Sequence, residues 1–301
     1  MQITNIHKMP EPLYAALASS RFDYDPELIH VTELIAPVQQ TVLSRRHWDH
    51  IVEDASDRLW ALMGTAAHMV AELWDKPGVL KEHNIVTEEI AGLRVTGTID
   101  ALDTNDDAEA DIYDYKMTSC WTIIKQNRME DYERQVNLYA ALARREGHLV
   151  RKAMILYFLR DHSAAQAWKT DGYPDIPAAW DYVNIWDAAI AEDYLQDRVR
   201  VVADALQHPG DLPLCSRNDR WNRAGADVRC RKYCNARPFC KQKGITAPES
   251  AFVATAAACE TTTQRSTNGK SSSVRSSTES GASGSGEWLA DHEGGRQLPD
   301  V

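Results

Sequence analysis

Between residues 45 and 74 the apolar positions Trp48, Ile51, Val52, Ala55, Leu59, Leu62, Met63, Ala66, Ala67, Val70 and Leu73 recur at helical spacing. Lys76-Pro77-Gly78 ends the pattern. This predicts one long helix, or two joined near Gly64. Two runs rich in β-branched residues follow, 85–90 and 93–102, split by Ala91-Gly92, which reads as a hairpin. Period-two alternation in the second run puts Leu93, Val95 and Ile99 on one face and Thr96, Thr98 and Asp100 on the other. A polar turn over 103–110 leads to a third strand, 111–116. Residues 131–146 predict a helix closed by Gly147, 152–159 a compact apolar strand, and 185–206 a last helix. This order predicts an α/β fold with a small central mixed sheet flanked by helices. No repeat of 20 to 50 residues is visible.

The division of the chain changes after residue 245. Between 261 and 286, 18 of 26 residues are Ser, Thr or Gly, and the only apolar side chains are Val274 and Ala282. Such a stretch buries too little to offset its ordering entropy. The expected organisation is an N-terminal extension (1–29), a core (30–206), a cysteine-bearing module (207–245) and a disordered tail (246–301). Within the tail, Glu287-Trp288-Leu289-Ala290-Asp291 offers one Trp and one Leu amid acids, a possible anchor for a protein partner.

Composition narrows the classes. The 301 residues carry a net charge of -11 with a mean hydropathy of -0.45, and no apolar run has membrane-spanning length. A channel or transporter is excluded. The first residues lack the basic-then-apolar order of a signal peptide, so a cytoplasmic protein is expected, in host cytoplasm if phage-encoded, and disulfides are not. The acidic balance also excludes coating of nucleic acid by bulk charge, so any such contact needs a local basic patch.

On Asp111-Ile112-Tyr113-Asp114-Tyr115-Lys116, Asp114 and Lys116 project from one face. If Asp100 faces the same side, two carboxylates converge beside one ammonium. Hard oxygen ligands of this kind bind a divalent cation, and the lysine could orient or deprotonate a water for attack on a phosphodiester. Taken alone, Asp-x-Lys more often marks a surface ion pair. Three further signals accompany it: Gly64-Thr65-Ala66-Ala67-His68 on a helix upstream, Gly97-Thr98-Ile99-Asp100 on the preceding strand, and Gln135-Val136-Asn137-Leu138-Tyr139 on the helix after. Each has a structural alternative, such as His68 pairing with Glu72 one turn on. Glu89 is a secondary acidic candidate on a neighbouring strand.

The order of these motifs, over roughly residues 30–240, resembles the PD-(D/E)xK nuclease superfamily, and within it the RecB-like exonucleases, including CRISPR-associated and phage-encoded members. The resemblance implies a restriction-endonuclease-like core acting on DNA with Mg2+ or Mn2+. It implies that His68, Asp100, Asp114 and the backbone carbonyl of Tyr115 are metal ligands and that Lys116 activates water. Gln135 and Tyr139, one turn apart on one helix face, would position the lysine or the DNA backbone. The expected substrate is single-stranded or end-containing DNA, in recombination, repair or phage DNA processing. A catalytically silent DNA-end-binding protein and an RNA or structure-specific nuclease are the alternatives.

Four of six cysteines fall together as Cys215-x14-Cys230-x3-Cys234-x5-Cys240. Clustered thiols inside a cell point to a metal centre, and thiolate sulfur suits zinc and iron-sulfur alike. The resemblance implies a 4Fe-4S cluster on Cys230, Cys234 and Cys240; the family's remaining cysteine usually precedes the histidine motif, and with none there Cys215 would serve as the fourth ligand, which leaves zinc as the alternative. Cys120 reads as a buried residue, and Cys259 stands apart at the tail. Residues 211–243 hold nine basic and three acidic side chains, a local charge of +6, with Trp221, Tyr233 and Phe239 interleaved. That mixture suits phosphate contacts and base stacking, or equally the neutralisation and packing of a thiolate cluster.

Overall fold

The structure, a computed structural model, describes residues 1–19, 25–104, 109–126, 128–223 and 225–242. Met1–Phe252 form one compact unit, and the expected tail with its Trp288 motif and Cys259 lies outside the described residues. In chain order the elements are β1 (Gln2–Thr4), α1 (Glu11–Ala18), β2 (Leu28–His30), α2 (Val31–Ile35), α3 (Val38–Arg46), β3 (Val52–Asp54), α4 (Leu59–Ala71), β4 (Val79–Ile90), β5 (Leu93–Thr104) and β6 (Glu109–Thr118). There follow α5 (Cys120–Ile124), α6 (Met129–Arg145), β7 (Leu149–Leu159), α7 (Ala164–Ala167), β8 (Ala178–Tyr182), α8 (Ala188–Gln207), β9 (Asn222–Arg223), β10 (Ala226–Asp227) and α9 (Val228–Lys232).

Six strands form one mixed sheet in the order β2-β5-β6-β7-β8, with β4 paired to the other side of β5. The β4–β5 hairpin turns where the alternation breaks. Ala91 and Gly92 both have positive φ, +50° and +85°, as a tight two-residue hairpin requires. β6 and β7 are parallel, so the chain must cross over between them, and α5 and α6 make that crossover. α6 ends as its sequence predicts: Gly147 takes φ +96°, and the amides of Gly147 and His148 bond back to Arg144 and Ala143.

The core lies where α6 and α8 pack together and α2 and α6 cover β5. Val136, Leu138 and Leu142 from α6 and Leu195, Val199 and Val202 from α8 are fully buried. Each is worth about 1.5–3 kcal/mol in apolar burial. At Gly97 on β5 a Cβ would come within 2.8 Å of Leu142 and 3.0 Å of Tyr139 and Val31, so the glycine lets two helices approach the strand.

The long helix expected over 45–74 does not form. The segment breaks into the end of α3, two short 3-10 turns (Trp48–His50 and Ala55–Arg58), β3 between them, and α4. A 3-10 turn has three residues per turn, so Trp48, Ile51 and Ala55 keep near-helical spacing without an α-helix. β3 pairs in parallel with β1. Asp54 holds the junction by accepting bonds from the amides of Ile6 (2.8 Å) and Ser56 (3.0 Å) and from the Thr4 hydroxyl (3.0 Å). Gly64 sits inside α4, not at a joint. Trp60, Met63, Met69 and Val70 of α4 are exposed, so its apolar stripe is not the core face that the spacing suggested. Among the described residues no helix is long and apolar enough to cross a membrane.

Candidate active site

β5 and β6 are antiparallel with Ala101 opposite Tyr113 and Leu102 opposite Ile112. Continued by one residue, this register sets Asp100 beside Asp114, and both carboxylates are buried. Asp114 is 1% exposed and Asp100 7%. Asp100 accepts a 2.6 Å bond from the Tyr115 amide. Burial raises its carboxyl to about 6, Asp114 adds to the rise, and Lys116 and His68 oppose it.

His68 reaches this pair from α4. Its Nε2 lies 3.1 Å from the carbonyl of Tyr115, while Nδ1 lies 3.4 Å from Glu82 and 3.6 Å from Asp100. Both ring nitrogens therefore face oxygen acceptors. A neutral imidazole donates through only one nitrogen, so the other side needs a second proton or a cation. This is the observation that fits a divalent ion to the site. Ligand atoms of His68, Glu82 and Asp100 all lie within 4.8 Å of one another, the one three-residue group of metal-ligating type among the described residues.

Asp114 is placed differently from that group. Its carboxylate holds Lys116, whose Nζ donates to Oδ1 at 2.7 Å and sits 2.6 Å from Oδ2, an oxygen that accepts no well-directed bond. Burial lowers the lysine's pKa, but Asp114 and then Asp100 outweigh it and hold the ammonium above its ordinary range. The amide of Gln135 donates to the Tyr139 hydroxyl at 2.8 Å, both side chains being buried on α6. Burial raises the Tyr139 phenol, against the pull of Lys116. The six side chains singled out from the motifs thus converge, with Lys116 bonded to Asp114 rather than to Gln135 or Tyr139.

Glu82 is the residue the sequence did not reveal. It lies on β4 where the ladder is interrupted: Lys81 pairs with Ala101 and His83 with Ile99, but Glu82 takes φ +45° and turns toward His68. Positive φ on a non-glycine residue costs of order 1–3 kcal/mol and persists only where neighbours impose it. The polar run Lys81-Glu82-His83-Asn84 has no strand alternation, so the strand was expected to begin only at 85. Glu89, the acidic candidate that the sequence offered, is in register with Arg94 beside the hairpin turn.

The four clustered cysteines line one cavity against α3, together with Gln39, Arg229, Arg237 and Gln242. The Cys215 thiol lies 3.4 Å from Gln39 Oε1 and Cys240 3.7 Å from the same oxygen, while Gln242 brackets the Cys215 backbone with bonds of 3.0 and 2.9 Å. Burial pushes Cys215 up to about 12 and Cys234 to about 11, with the neighbouring thiols adding to it. Cys120 is buried apart from them. Arg229 is tied to Asp131 of α6 at 3.1 Å and Arg220 to buried Asp227 at 2.9 Å, so part of the local positive charge is already paired, once to α6 and once within the module.

A mixed sheet flanked by helices, with an acidic pair and a lysine on adjacent strands, defines the restriction-endonuclease-like nuclease class. The chain belongs to the PD-(D/E)XK nuclease superfamily, whose family model matches residues 5–241. It is a nuclease by that membership. Nucleases of this superfamily use divalent metals, and His68, Glu82 and Asp100 form a group able to hold one. Among solved structures it is similar to SSO0001, at 17% identity and a TM-score of 0.51, covering 76% of this chain and 93% of that one. A phage-related exonuclease from Haemophilus somnus 129PT is a more distant match, at 11% identity and a TM-score of 0.29 over 68% of this chain and 86% of that one. No curated protein matches the sequence.

Proposed function

We propose that the protein is a divalent-metal-dependent DNA exonuclease of the RecB-like kind, acting on single-stranded or end-containing DNA in recombination, repair or phage DNA processing. The observation that carries this reading is the position of His68, with oxygen acceptors on both ring nitrogens, beside Asp100 and the Asp114–Lys116 pair. His68, Asp100 and Glu82 would hold Mg2+ or Mn2+, with Asp114 and the Tyr115 carbonyl next to them. When bound, the cation supplies charge to offset the phosphorus oxygens and acidifies the attacking water. Asp114 fixes Lys116 so that its remaining protons point to the reacting phosphate or water, and Gln135 orients the Tyr139 hydroxyl beneath them. The buried floor of the site keeps these groups from reorganising during the reaction.

The cysteine module carries a separate part of the proposal. Four thiols around one cavity fit a thiolate-bound centre, which would hold the C-terminal segment against α3. Tetrahedral zinc, with Zn–S of about 2.3 Å, draws its sulfurs to within about 4 Å of each other. We assign a 4Fe-4S cluster to these four thiols, with zinc as the alternative, since thiolate sulfur suits both. The centre is structural, since hydrolysis moves no electrons.

The test is degradation of end-labelled single- and double-stranded DNA with Mg2+ or Mn2+ by anaerobically purified protein, beside Lys116→Ala. Closed circular DNA and RNA are run in parallel. Cleavage of linear DNA that the variant lacks is expected. Cleavage of circles or of RNA would move the reading to a structure-specific or RNA nuclease, and DNA binding without cleavage to an end-binding protein.

A further inference from the structure

Trp221 of the cysteine module meets an arginine from outside the module, Arg128, close to the lysine of the site. Arg128 stands at the N-terminus of α6 with φ +74°, and Gln126 two residues before it has φ +46°. Its guanidinium lies 5.5 Å from the centre of the Tyr132 ring and 4.8 Å from that of Trp221 in the cysteine module. The Lys116 ammonium lies 5.8 Å from the same Tyr132 ring. The two cations therefore share one aromatic ring. From Trp221 the row continues to Tyr233, edge-on at 5.4 Å and 56% exposed.

Arg128 differs from the arginine beside it. Arg229 also lies over Trp221, at 4.1 Å, but Asp131 pairs with it. Among the described residues no carboxylate pairs with Arg128, and its side chain is exposed. An arginine that only fastened the module to α6 would not need an unneutralised charge in a left-handed backbone. Stacking on two rings costs a guanidinium none of its in-plane donors, which stay free for a phosphate.

We propose that Arg128, Trp221 and Tyr233 form a single-stranded nucleic-acid track leading from the catalytic lysine onto the cysteine module. Arg128 binds a phosphate of the strand next to the scissile one, and Tyr233 offers an exposed ring on which a base stacks. This deepens the nuclease reading and rests on it for the direction of the strand. A track of alternating guanidinium and aromatic groups fits a flexible strand whose bases are available, and a stacked duplex would present only its backbone to it.

The test measures binding of a fluorescent oligothymidylate and of a hairpin duplex by the full chain in EDTA, so that no cleavage intervenes. Affinity is followed as a function of salt. Arg128→Ala is expected to weaken oligothymidylate binding about tenfold and to lower the slope of log K against log salt by about 0.7, the share of one single-strand phosphate contact. Arg128→Lys keeps the slope, and Tyr233→Ala loses about tenfold with the slope unchanged. Thermal melts of the three variants check the fold, and Tyr233→Ala serves if Arg128→Ala is unstable. Unchanged affinity and slope in Arg128→Ala and Tyr233→Ala overturn the proposal, as does an equal loss on the duplex. Cleavage by the wild type with Mn2+, run alongside, separates the two readings. Cleavage with Arg128-independent binding sinks the track alone, and Arg128-dependent binding without cleavage sinks the nuclease alone.

Discussion

The two motif glycines, Gly64 and Gly97, occupy environments of opposite kind, and the same substitution in each should change stability in opposite directions. At Gly97 an added Cβ meets Leu142 Cδ1 at 2.8 Å, Tyr139 Cε1 at 3.0 Å and Val31 Cγ2 at 3.0 Å. Carbon atoms prefer about 3.5–4.0 Å, so three buried groups must each retreat by about 0.5–1 Å. Leu142 and Val31 are enclosed, and the Tyr139 ring is held by its 2.8 Å bond from Gln135. Overpacking of this kind costs about 1–3 kcal/mol. At Gly64, inside α4, nothing lies within 4 Å of the Cβ position, and alanine gains up to about 1 kcal/mol of helix propensity. With a urea slope of roughly 2–3 kcal/mol per molar, Gly97→Ala should lower the unfolding midpoint by about 0.3–1.5 M while Gly64→Ala leaves it equal or higher. Urea unfolding followed by circular dichroism measures both. Because the displaced ring belongs to the site, Gly97→Ala should also lower the cleavage rate at denaturant concentrations where it is fully folded. Equal midpoints for Gly97→Ala and wild type would refute the close approach, and loss of stability in Gly64→Ala would show that α4 is packed on a face the structure leaves open.

Four further outcomes follow. Glu82→Gln should weaken Mn2+ binding by isothermal calorimetry about tenfold or more while leaving the thermal melt of the metal-free protein nearly unchanged, and equal affinity would remove Glu82 from the ligand set. Cys234→Ala should lower the melting temperature and abolish the visible absorption of anaerobically purified protein; zinc instead of iron on elemental analysis of the wild type would reassign the centre. Asn137, fully buried between Gln135 and Tyr139, donates to the carbonyls of Glu133 and Asn184 at 3.0 and 2.9 Å and accepts from the Trp186 amide at 2.7 Å. Asn137→Leu orphans the Trp186 amide and should cost about 1–3 kcal/mol in urea unfolding. Burial alone would raise Asp54, but bonds from Ile6, Ser56 and Thr4 outweigh it and hold the carboxyl at about 2. A depressed carboxyl stabilises the fold above its unfolded value near 3.8 and loses that contribution as pH falls toward 2. Asp54→Ala should therefore cost about 1 kcal/mol at neutral pH and clearly less at pH 2, and an undiminished difference at pH 2 would refute the capping role.

Where a residue's role depended on a period it could be read from the chain, and where it depended on a crossing it could not. Alternation put Asp114 and Lys116 on one face of β6 and Asp100 with Thr96 and Thr98 on one face of β5, because a two-residue repeat fixes the face within a strand, while the meeting of the two faces came only from the ladder. The 3.6-residue repeat of α6 likewise set Gln135 and Tyr139 together. Nothing periodic marks β1, β2 or β3, each three residues long, so the parallel pairing that interrupts the expected long helix had no local signature. Glu82 was invisible for a related reason: its side chain reaches His68 because one residue of β4 leaves the ladder with positive φ, and that distortion is imposed by tertiary neighbours. The cysteines fall between these cases. Their clustering in sequence announced a centre, but α3 supplies Gln39 to the cavity from 176 residues before Cys215. Arg128 belongs with Glu82, since each is a non-glycine residue held at positive φ beside the acidic pair or its lysine. Both lie at the edges of the site, where tertiary neighbours impose the backbone, whereas Glu89, the further acidic candidate of the sequence, lies in the ladder beside the hairpin turn.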